Sequence, residues 1–196
     1  MKNYAIMIAG AERTGGCLCA RAISMLLNGH DTSAWWGSGP NPSIFAHRVY
    51  HHSIPYWEDQ KDKWDPFPWL NEFLETHKTF YVFTTRDNAI SIRSKKSRFG
   101  KSFSLSIDEN NRARKLLFDV HKKNKQRIFW WSYETFMFFK EYYLEIFTDF
   151  IKCKIEKNAL NERFKSIMVD LNPEGQEKYL KEFPEYDYEL KKLREP

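Results

Sequence analysis

The chain contains no apolar run approaching the roughly 18 residues that a membrane-spanning helix needs, so no conventional span is expected. Cysteine is scarce. Three thiols in 196 residues are an odd count for a disulfide framework, and Cys17 and Cys19 fall together where a helix should begin, so reduced thiols are expected. No Cys/His quartet has zinc spacing, and the i, i+4 pair His47 and His51 lacks the glutamate of an HExxH site, which sets a metal aside. There is no Asn-x-Ser/Thr sequon, in agreement with a cytoplasmic location. The amino-terminal apolar run Tyr4 to Ala9 is shorter than a secretory signal core, and Glu12 and Arg13 follow at once. Internal repeats and low-complexity tracts are absent as well.

What is present is enough for one folded domain spanning residues 1–196. Hydrophobic residues make up 42% of the chain and Phe, Trp and Tyr together 17%, which excludes a disordered tail. The 31 basic and 26 acidic side chains leave a surplus of +5, which points to an anionic partner without saying which kind. Along the chain, Asn3 to Ala9 reads as a buried strand. A Gly-containing loop and a helix follow, the helix with Leu18, Ile23, Leu26 and Leu27 at helical spacing. Gly29 to Pro42, which includes Trp35 and Trp36, reads as a long ordered loop, and Pro66 and Pro68 open a helix through Trp69, Phe73 and Leu74.

Thr79 to Thr85 is wholly β-branched or aromatic, as a strand covered on both faces of a parallel sheet should be. Helices are expected over Asp87–Ser97 and from about Ile107 to Lys125, the latter turning Leu116, Leu117 and Val120 inward. Gln126 to Trp131 reads as a third strand. Ser132 then caps one helix whose Phe136, Phe139, Tyr143, Phe147 and Phe150 form a core stripe. Strands alternating with helices predict a three-layer α/β/α domain with a mainly parallel sheet, its motifs within residues 1–150. A polar, helical segment over 154–196 should pack on its surface.

Gly10-Ala11-Glu12-Arg13-Thr14-Gly15-Gly16-Cys17 lies between the first strand and the first helix, where converging backbone N–H groups and the helix dipole favour an anion. Glycines there permit positive φ and close approach. A nucleotide-kinase loop would follow the second glycine with Lys and then Ser or Thr, for the β/γ-phosphates and for Mg²⁺. Gly16 and Cys17 stand in those places, which disfavours a magnesium-dependent kinase. Arg86 closes the aromatic strand at the carboxyl edge, where α/β sheets bind ligands, and its planar fork suits a phosphate. Ser94, eight residues on, offers a hydroxyl from the next helix. Read singly, Arg86 is equally a partner for Asp87, and Ser94 an ordinary helix serine.

Together these segments resemble the sulfotransferase family, which uses 3′-phosphoadenosine 5′-phosphosulfate (PAPS) on a P-loop nucleotide-kinase-like fold. Glu12-Arg13-Thr14-Gly15-Gly16-Cys17-Leu18 is similar to its 5′-phosphosulfate loop. Tyr81 to Asn88 followed by Ser94 is similar to its 3′-phosphate motif, including the Arg-to-Ser interval. Phe129 to Phe136 is similar to its downstream strand-to-helix "YE" segment. The resemblance implies that Arg13, Thr14, Gly15, Gly16 and Cys17 face the phosphosulfate and that Arg86 and Ser94 hold the 3′-phosphate. Transfer to a small hydroxyl or amine acceptor would need no metal and release PAP (adenosine 3′,5′-bisphosphate), with Arg13 stabilising the transferred group. Gly16 and Cys17 depart from the hydroxyl residues usual in that loop, and no carboxy-terminal Gly-rich basic segment is evident.

An acceptor hydroxyl must lose its proton, so a base is expected. Val49 to Pro55 is similar, one residue out of register, to the strand that carries a catalytic histidine in cytosolic members. His52 is the first candidate base and His51 the second, with Glu58 or a glutamate of the carboxy-terminal segment as further choices. Trp35, Trp36 and Trp57 would wall an acceptor site or pack in the core. Two other functions fit less of the sequence: a small-molecule or nucleotide kinase, and a non-catalytic P-loop domain binding nucleotide, or nucleic acid through Lys95, Lys96, Arg98 and Lys101. Residues 86–101 hold six basic side chains and one acid, so the surplus is concentrated beside the proposed 3′-phosphate ligand.

Overall fold

Strand β1, Tyr4–Ala11, is buried along its whole length and forms the centre of the molecule. The computed structural model describes residues 3–35, 47–55, 64, 78–123, 125–139, 141–153, 155 and 157–170. Beside β1 lie β3 (Arg48–Ile54) and β4 (Lys78–Thr85), with the two-residue β2 (Ala34–Trp35) and β5 (Ile128–Ser132) outside them. The sheet order is β2-β3-β1-β4-β5, and every pairing is parallel. Parallel neighbours require crossovers, and the helices supply cover for both faces. They are α1 (Gly16–Asn28), α2 (Asn88–Phe99), α3 (Phe103–Lys123), α4 (Tyr133–Phe139), α5 (Glu141–Ile151) and α6 (Lys157–Asp170).

Strand alternation divides the core into two layers. Tyr4, Ile6 and Ile8, with Phe80, Val82 and Trp131, pack against Ile23 and Leu26 of α1 and Leu144 and Phe147 of α5. The intervening Ala5, Met7 and Ala9, with Tyr81, Phe83 and Ile128, meet Ala113 and Leu117 of α3. The result is the expected three-layer α/β arrangement. The chain leaves β1 toward β3 on one side and later crosses to β4 on the other. The carboxyl ends of β1 and β4 therefore mark the point where strand order reverses, the usual place for a ligand in an open α/β sheet.

Several local expectations are corrected. Helix α3 begins at Phe103, four residues before the expected start, because the inward positions of its first half are polar and leave no apolar period to read. They are Ser106, Glu109 and Asn110. The aromatic stripe after Ser132 is divided between α4 and α5, and Phe139 is 49% exposed while Phe136, Tyr143 and Phe147 are buried. The steps of three and four would keep all five rings on one face of a single straight helix, but the chain forms two helices there, and Phe139 at the end of α4 faces outward. Ala34–Trp35, inside the expected loop, forms a short edge strand on β3. The expected helix through Trp69, Phe73 and Leu74, and residues Trp36, Trp57 and Glu58, lie outside the described residues.

Candidate functional site

The loop between β1 and α1 is built around a knot of hydroxyls. The Thr14 backbone N–H and its side-chain hydroxyl both donate to Ala11 O, at 3.2 and 2.7 Å. Thr84 Oγ1 of β4 lies 2.8 Å from Thr14 Oγ1. With the Thr14 proton already used, Thr84 is the donor of that pair. A β-carbon at Gly10 would sit 2.0 Å from Thr84 Oγ1 and 2.6 Å from Thr14 Oγ1, so only glycine lets the two meet. Gly15 adopts φ +88°, and a β-carbon there would lie 2.7 Å from Cδ2 of Tyr133. In this conformation the Thr14 hydroxyl secures the loop.

Arg13 and Arg86 converge above this knot. Arg13 has the left-handed φ of +69°, which few non-glycine residues adopt. Its Nε donates to Ser94 Oγ at 2.8 Å, joining the loop to α2. Arg86 is buried, donates from Nη1 to Arg13 O at 3.2 Å, and lies with its guanidinium 4.3 Å from the centre of the Tyr133 ring. Stacking of this kind fixes the plane of the fork. Burial holds the Tyr133 hydroxyl above its ordinary pKa, against the opposing pull of Arg86, and keeps the ring neutral at physiological pH. Tyr133 was visible in the sequence only as part of the YE segment, with no role attached to it. Glu134 beside it accepts from the Asp87 N–H at 2.9 Å, tying the β5–α4 junction to the start of α2.

Gly16 opens α1 after Gly15, which makes no side-chain cap, and no acidic residue occupies the first turn. The first N–H groups of α1 therefore carry the positive end of its dipole without an internal carboxylate. Cys17 is exposed at this end; desolvation around its sulfur raises the thiol pKa while Arg13 pulls it down. As a thiol it is a weak donor.

His51 and His52 are both buried on β3 but project to opposite faces of the sheet. Burial lowers His51 to about 4, with the neighbouring charge of His52 acting in the same direction, so it is neutral at physiological pH. His52 Nδ1 lies 3.2 Å from Ser53 O. A carbonyl only accepts, so this contact selects the Nδ1–H tautomer and gives Nε2 the lone pair. Among the described residues no group of three His, Cys, Asp or Glu side chains is arranged to hold a metal ion. No described helix is long and apolar enough to cross a membrane.

The fold has counterparts among solved structures. The chain is similar to mouse sulfotransferase SULT7A1, solved in complex with PAP, at a TM-score of 0.53 and 10% identity. The match covers 85% of this chain and 64% of that one, so the chain spans less than two thirds of its neighbour. This likeness shows a sulfotransferase-like fold. No family model matches the sequence, and no curated protein matches it either.

Proposed function

We propose that the protein is a sulfotransferase that moves a sulfuryl group from PAPS to a hydroxyl or amine acceptor. One observation carries this reading: Arg13, Arg86 and Ser94, far apart in sequence, meet beside the start of α1 at the carboxyl ends of β1 and β4. Two guanidinium groups, a buried hydroxyl and a helix amino terminus with no internal anion fit a nucleotide that carries separate phosphate groups. PAPS, when bound, supplies the activated sulfuryl group. Arg86 and Ser94 would hold the 3′-phosphate, with the Arg86 fork oriented by the Tyr133 ring. Arg13 and the N–H groups of Gly16 and Cys17 would face the phosphosulfate, where a permanent cation offsets charge developing during transfer. His52 would take the acceptor proton at Nε2.

A second reading is a P-loop domain that binds nucleotide without turnover. It is favoured by the Thr14 N–H and hydroxyl, both directed to Ala11 O, and by the lack of hydroxyls at Gly16 and Cys17. Kinase chemistry has less support, since no lysine follows Gly15.

Ligand-dependent melting separates these functions, because a ligand selective for the native state raises its midpoint. Adenosine 3′,5′-bisphosphate should stabilise the protein and Mg-ATP should not; the reverse pattern would overturn the reading in favour of a kinase. Sulfate transfer from labelled PAPS to phenolic or amine acceptors then distinguishes catalysis from binding alone. Arg86→Ala should abolish the bisphosphate shift while the unliganded protein still melts cooperatively. An undiminished shift would show that Arg86 is not the phosphate ligand.

A further inference from the structure

Lys95 is fully buried, although a lysine charge is costly to desolvate. Its Nζ lies 3.1 Å from Glu109 Oε2 of α3 and 3.8 Å from Glu12 Oε2 of the β1–α1 loop. Lys101, in the turn between α2 and α3, completes the group at 2.8 Å from Glu12 and 3.0 Å from Glu109. Two cations and two anions thus close a neutral cluster inside the molecule. Burial lowers the pKa of Lys95, and the hydrogen bond and charge of Glu109 oppose that shift. Such clusters add little net stability compared with apolar packing, so stability alone does not account for one here.

Its placement does. Glu12 directly precedes Arg13, and Lys95 directly follows Ser94. The Arg13–Ser94 hydrogen bond and the Glu12–Lys95 contact are therefore consecutive cross-links between the same loop and α2, and Lys101 adds a third from the turn that follows it. Arg13 needs such support because its φ of +69° is unfavourable for a residue with a β-carbon. We infer that the Glu12–Lys95–Glu109–Lys101 cluster is a positioning device, which locks the loop to α2 and α3 and holds the Arg13 guanidinium against Ser94 before an anion arrives. The consequence for ligand affinity rests on the function proposed above. Glu12 is then a positioning residue, and its negative charge serves an anion site by fixing geometry.

Glu12→Gln tests this with a sign that electrostatics cannot imitate. Removing a negative charge near an anion site strengthens anion binding if charge is all that matters. Loss of the lock should instead weaken adenosine 3′,5′-bisphosphate binding, measured by titration calorimetry, by about tenfold, because the loop must be ordered at the moment of binding. Hydrogen exchange of loop residues 11–16 in the ligand-free protein should accelerate, with α5 unchanged. Lys101→Met should accelerate the same exchange and Lys101→Arg should restore it. Unchanged or tighter binding together with unchanged loop exchange would overturn the inference. If the wild type does not bind the bisphosphate, the proposed function falls and exchange alone decides: a Glu12→Gln loop as protected as wild type removes the positioning role.

Discussion

Single side chains set the chemistry open to this protein. His52 illustrates how a backbone contact selects a base: Ser53 O accepts from Nδ1–H at 3.2 Å, which leaves the lone pair on Nε2. His51, its neighbour, faces the other side of the sheet. If His52 removes the acceptor proton, His52→Ala should lower kcat by about 10²–10⁴-fold with bisphosphate affinity retained. Steady-state kinetics and calorimetry on the same preparation check both halves, and a kcat within a few-fold of wild type would move the base elsewhere. Arg13, Arg86 and Ser94 were legible as candidates because the loop, the strand-end arginine and the eight-residue interval are local patterns. That Arg13 touches Ser94 was not legible, since 81 residues separate them.

Among the elements, α2 carries Ser94 of the proposed phosphate site, and its start is held from two directions. Asp87 caps it by accepting from the Ile90 N–H at 3.0 Å, while the Asp87 N–H donates to Glu134. Asp87→Ala removes the cap and should cost about 1 kcal/mol of stability, read from denaturant midpoints. An unaltered midpoint would mean that water replaces the carboxylate without loss. Ser132, expected to cap the next helix, accepts from the Thr135 N–H at 3.1 Å. Capping residues and aromatic strands were readable because their signals span only a few positions. The division of the aromatic stripe into α4 and α5 was not, since the period of the rings continues across it. The inward polar half of α3 escaped for the opposite reason, having no apolar period at all.

At the scale of the molecule, the charge surplus changes meaning. Residues 86–101 hold the excess of basic groups, but Lys95 and Lys101 are paired with Glu12 and Glu109 inside the fold. Of the four basic residues on which a nucleic-acid-binding reading depended, only Lys96 and Arg98 are left exposed. Acid stability is a second whole-chain property. His51 titrates near 4 in the fold against 6.5 in the unfolded chain. Above pH 6.5 both states are neutral there. As pH falls from 6.5 toward 4, the unfolded chain takes up a proton that the fold refuses, so stability should drop by up to about 3 kcal/mol. Unfolding midpoints across that window should fall more steeply for wild type than for His51→Gln; equal slopes would assign the acid sensitivity to other groups.

The sequence by itself determined the alternation of strands and helices, the anion-favouring loop and the aromatic strand ending at Arg86, because hydrophobic period, glycine placement and strand propensity act over a few neighbouring residues. Only the tertiary structure decided that β1 lies between β3 and β4, that His51 and His52 serve different layers, and that Glu12 reaches Lys95 and Lys101. Those outcomes depend on which distant surfaces bury one another. A buried charge such as Lys95 is tolerated only where the finished fold delivers carboxylates from other segments to meet it.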